Sequence, residues 1–233
     1  RGNCRGQGSG HGIAIYQHSE VAQFPATKGP SAFVNDAYGL GQGKNVVSFY
    51  HKWADDYDNQ MLEVDYVAPT VIAQLLCEHV SDKSAEILDV GCGTGLTCRL
   101  LADRGYCSLD GIDLSPDMIR VAGGQGIYRD LIVGDVNRTI ERDADSYDAV
   151  ISSGTFTHGH VGPEPFDDIF RILRPGGIFA CTVHRDLWEL KGFKDKFESL
   201  VAAEICQCLQ QKKGKYYDTE NIDGWFCVYQ KLS

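Results

Sequence analysis

Residues 87–96 read Ile-Leu-Asp-Val-Gly-Cys-Gly-Thr-Gly-Leu: an apolar run, an acidic residue, then glycine at every second position. Glycine has no Cβ, so a loop of this kind lets the backbone pass very close to a ligand. An amphipathic helix follows Gly95, and the free N–H groups of its first turn face the same spot. The chemistry these residues suit is the binding of a nucleotide-like cofactor. The spacing argues against a dinucleotide. That fingerprint is G-x-G-x-x-G, and here the place of its third glycine is taken by Leu96.

Acidic residues recur at the ends of the strands that follow. The run Ser108–Ile112 reads as a strand ending at Asp113, about 20 residues past the loop, where a carboxylate can accept both hydroxyls of a ribose. Leu114 comes next. Ser115-Pro116 then forms an N-cap and first-turn pair for a helix, with Met118 one turn in, placed to lie against an adenine face. A third strand, near Asp130–Val133, runs into Gly134-Asp135-Val136. A fourth, Tyr147–Ser152, leads into Ser-Gly-Thr-Phe-Thr-His-Gly-His at 153–160. A helix at about Pro165–Leu173, the turn Arg174-Pro175-Gly176-Gly177 and a fifth strand, Ile178–His184, complete the series. Strands alternating with helices build a parallel sheet, which takes its ligands at the carboxyl ends of the strands.

Taken together, Asp89-x-Gly91-x-Gly93-x-Gly95, Asp113, Asp135-Val136 and Leu-Arg-Pro-Gly-Gly resemble the ordered motifs of the class I S-adenosylmethionine (SAM) methyltransferases. The resemblance covers about Glu86–His184. Upstream, Phe49–Asp58 resembles the helix that lids SAM in small-molecule members. With Tyr66-Val67-Ala68-Pro69 and the wording of the glycine motif, the chain is most similar to the group of methyltransferase-like protein 27 and its bacterial relatives. The resemblance implies a Rossmann-like, seven-stranded, mostly parallel sheet ending in an antiparallel hairpin, and SAM as cofactor. It implies that Tyr57 reaches SAM from the lid and that Asp89 lies near the SAM amino group. Gly91, Cys92, Gly93, Thr94 and Gly95 form the loop, Asp113 and Leu114 meet the ribose, and Met118, Gly134, Asp135 and Val136 surround the adenine. Ser152 closes the set at the tip of strand four.

Two strand-like segments near the C-terminus, Ile205–Tyr217 and Trp225–Leu232, supply the hairpin; the second is rich in β-formers. Before them, Leu190 to about Glu204 carries helical periodicity through Phe193, Phe197, Leu200 and Val201. Residues 1–45 are expected to be a flexible glycine-rich tail, and 46–233 the methyltransferase domain with its helical lid.

Composition narrows the acceptor. The 233 residues carry 22 basic and 32 acidic side chains, a net charge of −10, with no lysine- or arginine-rich patch. Binding phosphates takes a basic footprint, so a nucleic-acid substrate is not expected, nor a membrane partner. A small molecule is the expected acceptor. Nine cysteines in no disulfide-like pattern read as reduced thiols of a cytoplasmic protein. Cys206-x-Cys208 lacks the second pair that zinc would need, so no metal is expected.

Methyl transfer from a sulfonium is an in-line displacement with a neutral leaving group, so positioning supplies most of the catalysis. A general base is required only for an acceptor that must lose a proton, such as an alcohol. His158 and His160 are the candidates, with Thr155 and Thr157 able to orient a polar substrate. Three other readings compete: a nicotinamide-dependent reductase, a SAM-binding protein without catalysis, and a protein methyltransferase.

Overall fold

The computed structural model describes residues 54, 57–63, 65–157, 161–218 and 222–233. Seven strands form one sheet: β1 (Glu86–Val90), β2 (Ser108–Asp113), β3 (Asp130–Val133), β4 (Tyr147–Phe156), β5 (Leu173–His184), β6 (Cys206–Lys215) and β7 (Asp223–Lys231). Their order across the sheet is β3-β2-β1-β4-β5-β7-β6. The first five are parallel, while β7 runs antiparallel to both β5 and β6. This is the mostly parallel sheet with a terminal hairpin that the sequence led us to expect. The order reverses between β1 and β4, so a crevice opens at their carboxyl ends.

The helices described are α1 (Tyr57–Glu63), α2 (Ala68–His79), α3 (Leu96–Ala102), α4 (Pro116–Gly124), α5 (Phe166–Ile172), α6 (Leu187–Leu190) and α7 (Phe193–Ala202). Successive strand side chains point to opposite faces, and the sheet is covered on both. Ile87, Ala149 and Ile151 pack with Ile72 and Leu76 of α2 on one face. Leu88, Val90 and Val150 pack on the other with Phe166 and Phe170 of α5 and Phe193 and Phe197 of α7. The aromatic rings on that second face interlock edge to face: Phe156 on Phe166 at 5.1 Å and Phe166 on Phe179 at 5.2 Å.

Local signals set several boundaries. Ser115 caps α4, its Oγ accepting from the Met118 N–H at 3.4 Å, and Pro116 opens the helix as its fixed φ allows. The helix expected from Leu190 to about Glu204 appears as α7, which starts at Phe193; the short helix α6 precedes it. Gly192 adopts a left-handed φ of 74° between α6 and α7, a turn that ends one helix and starts the next. Strand β4 continues past Ser152 to Phe156 through a register shift against β5. That irregularity re-aims residues 153–155 at the crevice.

Seven cysteines are free thiols, as the sequence reading holds; Cys107 is disulfide-bonded, and that reading does not extend to it. No helix among the described residues is long and apolar enough to cross a membrane, and those residues contain no cluster able to hold a metal.

One buried charge stands mid-strand in β2. Asp110 is 3% exposed, and Arg129 grips it with two nitrogens at 2.9 and 2.7 Å, while the Tyr147 hydroxyl donates at 2.8 Å. Arg129 also reaches Glu86 at 2.7 Å, tying β1, β2 and the start of β3 together. Asp110→Ala is expected to cost about 2–3 kcal/mol. That is less than the ~3–5 of a fully buried pair, because Arg129 keeps access to water. Denaturant unfolding measures it, and a change under 0.5 kcal/mol would show that the network carries no stability.

Candidate functional site

The glycine loop continues the β1–β2 pairing by one step. Gly91 and Cys92 both donate to the Ile112 carbonyl, at 2.8 and 3.1 Å. Gly91 has φ +70°, and a Cβ there would stand 2.1 Å from the Thr155 hydroxyl on β4. Gly93 has φ +54°, and a Cβ there would meet no atom within 4 Å. One glycine is therefore forced by the neighbouring strand, and the other borders open space over the loop.

Asp113 spans the gap between loop and strand. Its Oδ2 accepts the Gly93 N–H at 2.9 Å and its Oδ1 the Ser115 N–H at 2.8 Å. Burial raises its pKa, and the N–H groups of Ser115 and Gly93 pull it back in part. Each oxygen keeps lone-pair capacity for a further donor. Asp113 thus braces the loop.

Asp89 points inward instead. It is 1% exposed and accepts from the Tyr128 hydroxyl at 3.2 Å. Burial pushes its pKa up to about 7, with the nearby Asp113 charge adding to the rise and Cys98 and Tyr128 opposing it. Cys92, beside it, is packed at 6% exposure, and burial lifts its thiol well above the usual range, so it is no nucleophile.

Helix α1 and the glycine loop meet through a carboxylate. Asp58 on α1 accepts the Thr94 hydroxyl at 2.6 Å and an Arg99 nitrogen of α3 at 3.2 Å. Tyr57 packs, partly buried, against the α2 side of the core. The remaining expected residues ring the same edge. Leu114 is exposed and Met118 buried, while Gly134 donates to the Asp113 carbonyl at 2.9 Å. Asp135 accepts the Asn137 backbone and amide N–H groups, both at 3.0 Å, and Val136 turns into the core. Ser152 is fully buried, its hydroxyl donating to the Val90 carbonyl at 2.7 Å, as does Thr155 at 3.0 Å. His158 and His160, like residues 1–53, lie outside the described residues.

Tyr128 and Asp58 are site residues that sequence reasoning missed. Tyr128 lies in the loop before β3, 39 positions from Asp89. Nothing local marks it. Asp58 sat in view within the lid segment, and the signal that would have found it is its pairing with Thr94 across 36 positions.

Residues 88–181 match the family model described as a methyltransferase domain. Human methyltransferase-like protein 27 is 30% identical over 173 residues, 73% of this chain and 70% of that protein. The chain belongs to the class I SAM-dependent methyltransferases. A further relative of this methyltransferase is the 18S rRNA (guanine-N(7))-methyltransferase of Bos taurus. It is 36% identical over 95 residues, 41% of this chain and 33% of the relative. Among solved structures, a SAM-dependent methyltransferase from Methanosarcina mazei superposes with a TM-score of 0.54 at 19% identity. The match covers 68% of this chain and 97% of that one.

The residues of the methyltransferase fit SAM. The space beside Gly93 is open, the Asp113 oxygens keep lone pairs for further donors, and burial raises the Asp89 carboxyl to about 7. Asp89 also sets a pH dependence. Below the ordinary carboxyl value of 3.8, folded and unfolded states are both protonated and Asp89 imposes no cost. As pH rises to about 7 the unfolded chain ionises first, so stability falls through that window, and above it the loss is complete. Asp89→Asn cannot titrate. The variant is expected to gain stability over the wild type between pH 4 and pH 8. Parallel denaturation curves at the two pH values would contradict a buried, proton-holding Asp89.

Proposed function

We propose that this methyltransferase transfers the methyl group of SAM to a small molecule bearing an oxygen or nitrogen nucleophile. The observation that carries the reading is charge. A chain of net charge −10 is repelled by a phosphate backbone, and its acidic surface favours small acceptors. The rRNA methyltransferase relative argues the other way, but the match to it takes in 41% of this chain.

SAM supplies a sulfonium-activated methyl group; the protein supplies binding and alignment. Asp113 is assigned to the ribose diol, accepting its hydroxyls with the lone pairs that Gly93 and Ser115 leave free. The backbone of Gly91, Cys92, Gly93, Thr94 and Gly95 lines the methionine and ribose side, and Asp89 is the counter-charge to the cationic end. Leu114, Met118, Gly134, Asp135 and Val136 are assigned to the adenine side, Ser152 to the strand tip. Asp58 holds Tyr57 and the rest of α1 against Thr94, so that water leaves when the lid closes. Holding the acceptor in line accounts for the largest share of the rate, about 7–11 kcal/mol at best. His158 and His160 are assigned as bases for an acceptor that must lose a proton.

Calorimetric titration with SAM, S-adenosylhomocysteine and NAD in parallel tests the cofactor assignment. Both sulfur compounds are expected to bind and NAD to give no heat. Asp113→Ala is expected to weaken SAM by roughly 1–3 kcal/mol, the range for a lost charged hydrogen-bond partner. An unchanged affinity would remove Asp113 from the ribose. Transfer of labelled methyl to RNA but to no small molecule would overturn the acceptor reading.

A further inference from the structure

Tyr66, Ser153, Thr182 and Tyr216 gather at the carboxyl-terminal parts of β4 and β5. The place adjoins the cofactor loop, since Ser153 and Gly154 directly precede the Thr155 that packs on Gly91. Several elements bring the four hydroxyls together. Tyr66 forms an antiparallel bridge with Tyr217 and stacks on its ring at 4.9 Å. Val67 and Ala68 donate to the Tyr216 carbonyl at 2.9 and 3.2 Å. Thr182 accepts the Gly154 N–H at 3.0 Å. The Tyr66 hydroxyl fills the space a Cβ on Gly154 would need, 2.6 Å away.

Two of these hydroxyls, Ser153 Oγ and Tyr216 Oη, are enclosed and make no hydrogen bond of good geometry among the described residues; each has only another hydroxyl beside it, Tyr66 by Ser153 and Thr182 by Tyr216. Tyr216 is 0% exposed. A buried donor left unsatisfied costs stability, and phenylalanine would fill the same space without that cost. Unsatisfied donors kept at the ligand edge of a sheet are groups waiting for a ligand. Burial pushes the Tyr66 phenol up to about 12 and raises that of Tyr216 as well, so both stay protonated at neutral pH. The neighbours that act on these two phenols are hydroxyls, thiols and each other, with no charged side chain among them. The wall is rich in donors, and the His184 ring stands edge-on to Tyr216 at 6.1 Å with its Nδ1 accepting the Asp186 N–H.

We propose that Ser153 and Tyr216, with Tyr66 beside them, bind the carboxylate of the methyl acceptor, and that the product is a methyl ester. The inference deepens the small-molecule reading above and rests on it. Two donors lacking acceptors match a group with two acceptor oxygens and no proton of its own. The sulfonium of SAM supplies the positive charge that the wall lacks, which offsets the cost of enclosing an anion. A lone pair of the carboxylate oxygen forms the new O–CH3 bond. The C–S bond breaks, its electron pair stays on sulfur, and S-adenosylhomocysteine leaves as a neutral thioether. No proton moves, so His158 and His160 have no base to supply for this acceptor.

Fluorine NMR on protein loaded with sinefungin, whose ammonium stands where SAM has its sulfonium, tests the assignment. The probes are 4-fluorobenzoate, 4-fluorophenol and 4-fluoroaniline, each titrated against wild type and Tyr216→Phe. Calorimetry with sinefungin comes first: no binding sinks the cofactor reading itself, whereas a bound cofactor analogue isolates the acceptor question. The carboxylate is expected to bind about tenfold more tightly than either other probe, and to lose about tenfold in Tyr216→Phe, one hydrogen bond's worth. Thermal denaturation of that variant is expected to rise by ~2–4 °C, because an unpartnered hydroxyl has gone. A preference for the phenol or the amine, no carboxylate binding, or equal binding by wild type and variant would overturn the proposal. Should Tyr216→Phe not fold, Ser153→Ala gives the same readout.

Discussion

The two oxygens of the Asp113 carboxylate each hold an N–H from a different segment, Gly93 in the loop after β1 and Ser115 at the cap of α4. The rest of the ligand edge is arranged around that fork. The loop is held open by glycines that have no side chain to fill it. Without an acceptor for the Gly93 N–H, its position would be set by water. The same carboxylate fixes where α4 begins, and through the Asp113 carbonyl it fixes Gly134 at the tip of β3. Three strand tips are thus registered to one residue. Its burial, which raises the pKa of the carboxyl, is the cost of placing that acceptor inside.

Among the described residues, unfavourable buried groups collect most densely at this edge. Asp89 and Asp113 are buried carboxyls, the second close enough to raise the first, and Ser153 and Tyr216 are enclosed hydroxyls that make no hydrogen bond of good geometry among the described residues. The opposite end of the sheet looks different. There Asp110, Glu86 and Asp148 are met by Arg129 and Arg174, with distances of 2.5–2.9 Å. One end satisfies its charges internally; the other leaves them for something that binds. That contrast is what a site grafted on a stable scaffold looks like.

Much of this was legible in the sequence because it is local. The alternation of glycines at 91, 93 and 95, the Ser115-Pro116 cap and the strand-ending Asp113 are short-range patterns, and the strands appear where those patterns put them. The helix of Phe193, Phe197 and Leu200 starts later than expected because Gly192, with a positive φ, precedes its first turn. The extension of β4 to Phe156 was missed because Gly154 within it reads as a stop. Nothing local in the sequence marked Tyr128, Tyr66 or Tyr216 as facing the ligand edge, although Tyr66 lay in a segment shared with the family. Each reaches the site from a segment remote in sequence, and the sheet order alone brings them there.

The most direct test is a crystal structure of the protein grown with S-adenosylhomocysteine. The account places the ribose hydroxyls on the two Asp113 oxygens, with the Gly93 and Ser115 N–H groups still bound there. A nucleoside seated elsewhere, or a carboxylate that had released Gly93 to receive it, would contradict the claim that one residue both shapes the loop and reads the ligand.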